Sequence, residues 1–206
     1  MESACKKCRR AGEKLFLKGE RCFTPKCAVT RKPYAPGIHG AKARRGRKTE
    51  YGLQLQEKQR VRLMYGMGEK QFRDAVEGAV AKGSNVAQSL VQKLESRLDN
   101  TVFRLGFAVS RSVARQLVSH GHVRVNGKRV TVASYAVRKN DVITLSPNAV
   151  EGPIGKHLEV ILEKHTPPVW LTIDKSAKSG TVLGVPVADD VTTSRNFGAI
   201  IEYYSR

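Results

Sequence analysis

The sequence predicts an α+β chain: a cysteine-bearing, irregular, basic N-terminal extension, a helical domain, and a module of two helices with a small antiparallel sheet. Three observations lead there. All four cysteines fall within the first 27 residues, among glycine, proline and basic side chains. From residue 50 apolar residues recur at helical spacing, and after Gly121 the pattern changes to the alternation and Asn-Gly turn of a hairpin. The domain reading is 1–49 as a metal-binding basic extension and 50–94 as a helical domain completed by part of the C-terminal segment. Residues 95–160 follow as the two-helix module, and 161–206 as C-terminal strands and tail packing back on the body.

In the extension, Lys32 to Lys48 holds Pro33, Pro36, Gly37, Gly40 and Gly46 beside Arg44, Arg45, Arg47 and Lys48. With so little apolar periodicity this stretch cannot fold alone and is expected to order against its ligand, a floppy solubilising tail being the alternative. Leu53, Leu55, Val61, Leu63, Met64 and Phe72 then predict helix over 50–82, broken at Tyr65-Gly66-Met67-Gly68. Leu90, Leu94, Leu98 and Val102 form one apolar stripe that predicts a single helix from Asn85 to a glycine cap at Gly106. The next helix starts at Ser110, whose hydroxyl caps it, buries Val113, Ala114, Leu117 and Val118, and stops at Gly121. Val123-Arg124-Val125, Asn126-Gly127 and Lys128-Arg129-Val130 read as a hairpin. Further strands are expected at Val142–Leu145, Val169–Ile173 and Ala199–Tyr204.

The cysteines are Cys5, Cys8, Cys22 and Cys27. A CxxC knuckle points two thiolates at one centre, and a second pair after a short loop completes a tetrahedron. The reading is structural Zn2+ on all four, with an iron–sulfur cluster on the same ligands or unliganded thiols as alternatives. Neighbouring Lys and Arg favour thiolates and offset a doubly negative centre. His39 could replace one ligand, although a phosphate contact suits it better. With no open coordination position, the site organises the extension and catalyses nothing.

The formal net charge of +19 in 206 residues calls for a polyanionic partner, because so much like charge opposes compaction. Residues 1–50 carry 15 Lys and Arg against 4 Asp and Glu, residues 51–145 carry 16 against 7, and residues 146–206 carry 6 against 7. The polyanion therefore faces the first two thirds of the chain. No apolar run approaches the roughly 18 residues of a membrane span, and no secretory h-region follows Met1, so no membrane partner and a cytosolic or organelle-interior location are expected. The candidates for contact with that polyanion, for which nucleic acid leads over an anionic membrane surface, are Arg9, Arg10, Lys18, Arg21, Lys26, Arg31, Lys32, His39, Arg44, Arg45, Arg47, Lys48, Lys58, Arg60 and Arg62. In the module they are Arg97, Arg104, Arg111 and Arg115, expected to project from one side of the helix pair, then His120, His122, Arg124 and Lys128. Packing or hydrogen bonding suits the two histidines equally well, and Phe103 and Phe107 read as core.

The stretch Arg97-Leu98-Asp99, Arg104-Leu105-Gly106-Phe107, Ser110-Arg111, Ala114-Arg115-Gln116-Leu117-Val118, His120-Gly121-His122-Val123 and Val125-Asn126-Gly127-Lys128 resembles a compact RNA-binding module. That module is named after the fourth protein of the small ribosomal subunit. The resemblance continues through Lys18-Gly19-Glu20-Arg21-Cys22, Pro25-Lys26-Cys27, Arg31-Lys32-Pro33-Tyr34-Ala35-Pro36-Gly37, His39-Gly40, Glu57-Lys58-Gln59-Arg60, Tyr65-Gly66 and Tyr203-Tyr204-Ser205-Arg206. The resemblance, to the bacterial family of small ribosomal subunit protein S-four, therefore covers nearly the whole chain.

The resemblance implies a non-enzymatic constituent of the cytoplasmic ribosome, a primary 16S rRNA binder. Such a protein clamps a multi-helix junction in the 5′ domain and nucleates subunit assembly. It also implies neighbouring small-subunit proteins, chiefly protein S-five, mRNA near the path by which it enters, and no homo-oligomer. Helical RNA is recognised by shape, phosphates and 2′-OH groups, which suits a rigid basic helix pair. Rival readings are an RNA-modifying enzyme, from the superficial likeness of Arg97-Leu98-Asp99 to a pseudouridine synthase motif, a nonribosomal RNA-binding factor and a DNA regulator. The first lacks a P-loop, GxGxxG or HExxH motif and the chain length for a catalytic domain. The second is expected to lack the cysteine extension and helical domain. Gel-shift competition between duplex DNA and structured RNA separates the third.

Overall fold

The computed structural model of the chain describes residues 3–42, 47, 49–83, 85–187 and 195–205. In chain order the elements are α1 (Ala4–Ala11), a 3-10 turn (Gly19–Cys22), α2 (Ala28–Arg31), α3 (Glu50–Met64), α4 (Glu69–Val80), α5 (Val86–Glu95), α6 (Leu98–Arg104) and α7 (Arg111–Ser119). There follow β1 (Val123–Val125), β2 (Lys128–Arg129), β3 (Val142–Leu145), α8 (Pro147–Glu151), α9 (Pro153–Lys164), β4 (Leu171–Asp174), β5 (Ser179–Val182) and α10 (Phe197–Tyr204). The chain divides into two compact units, residues 1–87 with 194–206, and residues 88–193. The division thus falls inside α5, and the C-terminal segment is shared between the units rather than standing as one domain from residue 161.

In the first unit the extension is short helical turns joined by bends. Cys8, Ala11 and Leu15 are buried against Leu17, Val29 and Leu63, so a few apolar residues without periodicity still make a small core. Gly12, at φ 78°, ends α1 by returning its N–H to Cys8 O. Thr49 caps α3, its hydroxyl accepting from Gly52 N at 3.2 Å. Gly66 (φ 64°) makes the turn that separates α3 from α4.

The segment expected as a strand at Ala199–Tyr204 is instead helix α10. Asn196 caps it through a hydrogen bond from Ala199 N, and a short apolar run cannot by itself distinguish strand from helix. α10 packs on α3: Gln54 donates to Glu202 at 3.0 Å, and the Tyr51 and Tyr203 rings lie 5.6 Å apart.

In the second unit the stripe expected to form one helix breaks at Ser96–Arg97. Arg97 bridges Ala136, Val137 N donates to Ser96 O, and Leu98 N donates to Tyr135 O. These strand-like bonds to a distant loop replace the helical ones. Ser110 does cap α7, accepting from Val113 N at 3.4 Å.

The sheet has order β2-β1-β3-β5-β4 and is antiparallel throughout. Asn126 (φ 50°) and Gly127 (φ 78°) form the left-handed pair that joins β1 to β2. Leu98, Val102, Leu105, Leu117 and Val118 bury onto Val123, Val125, Ile143 and Leu145, with Leu158, Leu162 and Trp170 in the same core. β5 was not expected because Gly180 weakens its pattern. A Cβ there would stand 2.5 Å from the Leu105 methyls, so the glycine lets the strand approach α6.

Candidate nucleic-acid interface

In the second unit the predicted arginines divide by what holds them. Arg97 is only 6% exposed and grips Asp99 with two hydrogen bonds, Nε to Oδ1 at 3.0 Å and Nη2 to Oδ2 at 2.7 Å. Arg104 binds Glu95 at 2.9 Å through Nε and at 2.9 Å through Nη2. Glu95 is itself 1% exposed and also accepts from Asn100 Nδ2 at 2.7 Å. The expectation that Arg97 and Arg104 project outward is therefore corrected: a buried carboxylate holds each guanidinium, since an unpaired buried charge is prohibitive. Asp99, the residue behind the enzyme comparison, is the buried partner of Arg97.

Asn100 connects this network to the surface, its Oδ1 accepting from Arg111 Nε at 2.8 Å. The Arg111 guanidinium, half-buried, stacks 4.6 Å over the Phe103 ring. One turn on, Arg115 is also half-buried. His120 is exposed, and His122, half-buried, has Nδ1 3.4 Å from Ser146 Oγ. Arg124 and Lys128 are exposed on the hairpin. Arg111, Arg115, His120, Arg124 and Lys128 thus run along the outer side of α7 and onto β1–β2, which the second-unit core fixes in place.

In the first unit Lys18, Arg21, Lys26, Arg31, Lys32, His39 and Arg47 are exposed, as is Arg10. Arg44, Arg45 and Lys48 lie outside the described residues. Arg9 braces the extension, donating to Tyr34 O at 3.0 Å and Ala35 O at 3.2 Å, with its guanidinium 4.8 Å from the Tyr34 ring centroid. Lys58 is 4% exposed, bonds Glu69, and lies 4.9 Å from the Tyr203 ring centroid, so its ammonium faces inward and not toward a ligand. Burial opposes ionisation of Glu69, but donors from Lys58 and Tyr204 and the charges of Lys58 and Arg62 outweigh it and hold the carboxyl below its ordinary range. Burial, together with the Glu69 carboxylate, pushes the Tyr204 phenol well above its own. Arg60 and Arg62 are half-buried on α3.

Cys8, Cys22 and Cys27 are buried and Cys5 half-buried, all as free thiols. The four line one cavity of about 20 Å³. Burial raises the Cys8 thiol, and Cys22 and Cys5 add to the rise. At Cys27 burial is outweighed by backbone N–H donors from Thr30 and Val29 and by Lys14, and the thiol is lowered. Among the described residues no three Cys, His, Asp or Glu side chains are gathered at metal-ligating distances. The four thiols nonetheless share that one small cavity, and four cysteines are a donor set of the kind a single tetrahedral ion takes.

A model of the ribosomal protein S4/S9 N-terminal domain matches residues 1–95, and one of the S4 domain matches residues 96–143. The chain is 50% identical over 203 residues to small ribosomal subunit protein uS4 of Kosmotoga olearia, covering 98% of this chain and 96% of that protein. To uS4 of Desulfitobacterium hafniense it is 48% identical over 203 residues, with the same coverage of 98% and 96%. To uS4 of Thermotoga petrophila it is 47% identical over 204 residues, again covering 98% and 96%. The chain belongs to the uS4 family. That is a family of ribosomal structural proteins and not of enzymes, and no described helix is long and apolar enough to cross a membrane.

Against this uS4 frame, one residue of the basic surface escaped the sequence reading. Arg129 lies directly opposite Arg124 in the β1–β2 register and donates from Nη2 to His120 O at 3.2 Å, at the C-terminus of α7. There a cation complements the helix dipole. A Cβ on Gly121 would come within 2.0 Å of Arg129 Nε, and Gly121 has φ 75°. The glycine thus both ends α7 and admits the guanidinium. The signal was available in the hairpin: Arg124 stands two residues before Asn126 and Arg129 two after Gly127, which makes them cross-strand partners.

Proposed function

We propose that the chain is a primary 16S rRNA-binding constituent of the cytoplasmic small ribosomal subunit, one that clamps a multi-helix junction in the 5′ domain and nucleates assembly. Protein S-five and mRNA near its point of entry are its further neighbours in this reading. The observation that carries it is Arg124 held opposite Arg129 on the solvent side of the β1–β2 hairpin, beside Lys128 and the outer side of α7. Like charges directly opposite in a ladder destabilise it, by up to about 1 kcal/mol, and a polyanion laid across them reverses that term. The buried Glu95–Asn100–Arg111 chain supports the same role, because it orients a surface arginine before RNA arrives.

Arg124→Ala with Arg129→Ala is the test. Filter binding to a 16S rRNA 5′-domain transcript, repeated across salt, is expected to weaken and to lose about 0.7–0.9 of slope per phosphate contact removed. Unchanged affinity and slope would place the clamp elsewhere.

A structural Zn2+ on Cys5, Cys8, Cys22 and Cys27 belongs to the same proposal. It would tie α1, the 3-10 turn and the start of α2 together as a cross-link with no chemistry of its own. The cavity of about 20 Å³ suits a single ion better than a cluster of several irons and sulfides.

A further inference from the structure

A separate cavity of about 540 Å³ opens between α1 and α3 in the first unit. Its polar wall is Lys7, Arg10, Gln56, Gln59, Arg60 and Arg62, and its apolar wall includes Leu63 and Met67. No carboxylate lines it among the described residues. That size falls within the range of about 300–1,000 Å³ typical of small-molecule sites, far more than a passing phosphate requires.

The cationic groups on α3 are held in place. Gln56 Nε2 at 3.0 Å and Arg60 Nη2 at 3.1 Å both donate to Ala11 O, tying α3 to the last turn of α1. Arg60 also pairs with Glu57, and its buried Nε faces the Glu13 carboxylate at 3.5 Å, so two acids and the Ala11 carbonyl fix its guanidinium. Gln59 Oε1 accepts from Arg62 at both Nε (3.0 Å) and Nη2 (2.7 Å), while Arg62 Nη1 lies 3.4 Å from Met67 O. The carboxylates of Glu57, Glu13 and Glu69 reach Arg60 and Arg62 from outside the cavity lining, so they orient those guanidinium groups while offsetting much of their charge, and Lys7 and Arg10 add the further positive charge of the wall.

We infer that this cavity receives one unpaired nucleotide of the bound RNA, its phosphate among Lys7, Arg10 and Arg60 and its base against Leu63 and Met67. The inference rests on the rRNA-binding reading above and adds a site to it. A duplex offers phosphates but keeps its bases stacked. A pocket with a charged wall, two amides and an apolar wall matches a nucleotide that has left the stack. Free nucleoside monophosphate has the same chemistry, and the experiment separates the two sources.

The full-length chain is bound to a 16S rRNA 5′-domain transcript substituted with 4-thiouridine, irradiated, and the cross-linked peptides mapped. A cross-link from an unpaired position to the peptide spanning residues 56–67 is the expected result. Cross-links to that peptide only from paired positions, or none to it, overturn the inference. Gln59→Trp, which fills the cavity, is expected to abolish the cross-link and lower affinity about tenfold with far-UV melting unchanged. Lys7→Ala with Arg10→Ala, which keeps the Gln59–Arg62 pair, is expected to lower affinity about fivefold. Normal affinity and cross-linking in both variants overturn the inference.

Equilibrium dialysis with 5′-AMP supplies the other arm. AMP displaced by the transcript supports an RNA nucleotide in the cavity, whereas AMP retained equally by the chain and its RNA complex assigns the cavity to free nucleotide and overturns it. Loss of affinity in Arg124→Ala/Arg129→Ala but in neither cavity variant removes this site alone. Absence of any transcript preference in the unaltered chain removes the rRNA reading itself.

Discussion

Glu95→Gln tests the buried network with little change of volume. Glu95 is 1% exposed and accepts two hydrogen bonds from Arg104, whose side chain is 14% exposed, and one from Asn100. Glutamine retains one acceptor but turns an N–H₂ toward a donor and leaves the guanidinium without its counter-charge. Breaking such a pair costs about 3–5 kcal/mol. The retained acceptor places this substitution near the lower end.

For a unit of this size about 3 kcal/mol corresponds to a fall in Tm of roughly 12 °C. Trp170 is the chain's only tryptophan and is 4% exposed in the second-unit core, so its fluorescence follows that unit alone. RNA affinity is expected to fall as well, because Asn100 loses one anchor and orients Arg111 less firmly. The double variant Glu95→Gln/Arg104→Met, which removes both charges, is expected to regain part of the lost stability. A Tm shift below about 4 °C for the single variant would refute the claim that Glu95 compensates a buried charge.

Gly121→Ala forces a left-handed residue to carry a Cβ and pushes into Arg129; a loss of about 1–2 kcal/mol in Trp170-monitored unfolding is expected, with weaker RNA binding. Cys5→Ser with Cys8→Ser, or chelation, is expected to open residues 1–45 to limited proteolysis while the Trp170 transition stays put; a shift of that transition would tie the metal to the second unit. The Glu69 carboxyl is depressed, so its stabilisation is complete above the ordinary carboxyl value of 4.5 and is lost as pH falls through the folded value. The Tyr204 phenol is raised, so its contribution is complete below its ordinary value of 10.0 and fades as pH rises beyond it. Far-UV unfolding between pH 2 and 12 checks both limbs, and Glu69→Gln is expected to flatten the acid one.

What could be read from the sequence was what local chemistry decides. Ser110 and Gly121 bound α7 because a hydroxyl cap and a left-handed glycine act within a turn of themselves, and Asn126-Gly127 makes its hairpin for the same reason. The break at Ser96–Arg97 was not legible, because its cause is pairing with Tyr135–Val137, some forty residues on. The helical state of Phe197–Tyr204 was hidden likewise, since α3 supplies the face on which it packs.

The basic surface follows the same division. A net charge of +19 fixes the sign of the partner but not which cations meet it. Near Glu95 and Asp99, which fall among buried apolar residues, Arg97 and Arg104 are bound to stay with them, because two buried carboxylates without partners would cost more than the RNA contacts forgone. On the hairpin no carboxylate stands opposite Arg124; the register puts Arg129 there instead. In the second unit the arginines that can reach a phosphate are thus those for which the fold supplies no acid, and there proximity to a buried carboxylate separates scaffold from surface better than the count of positive charge does.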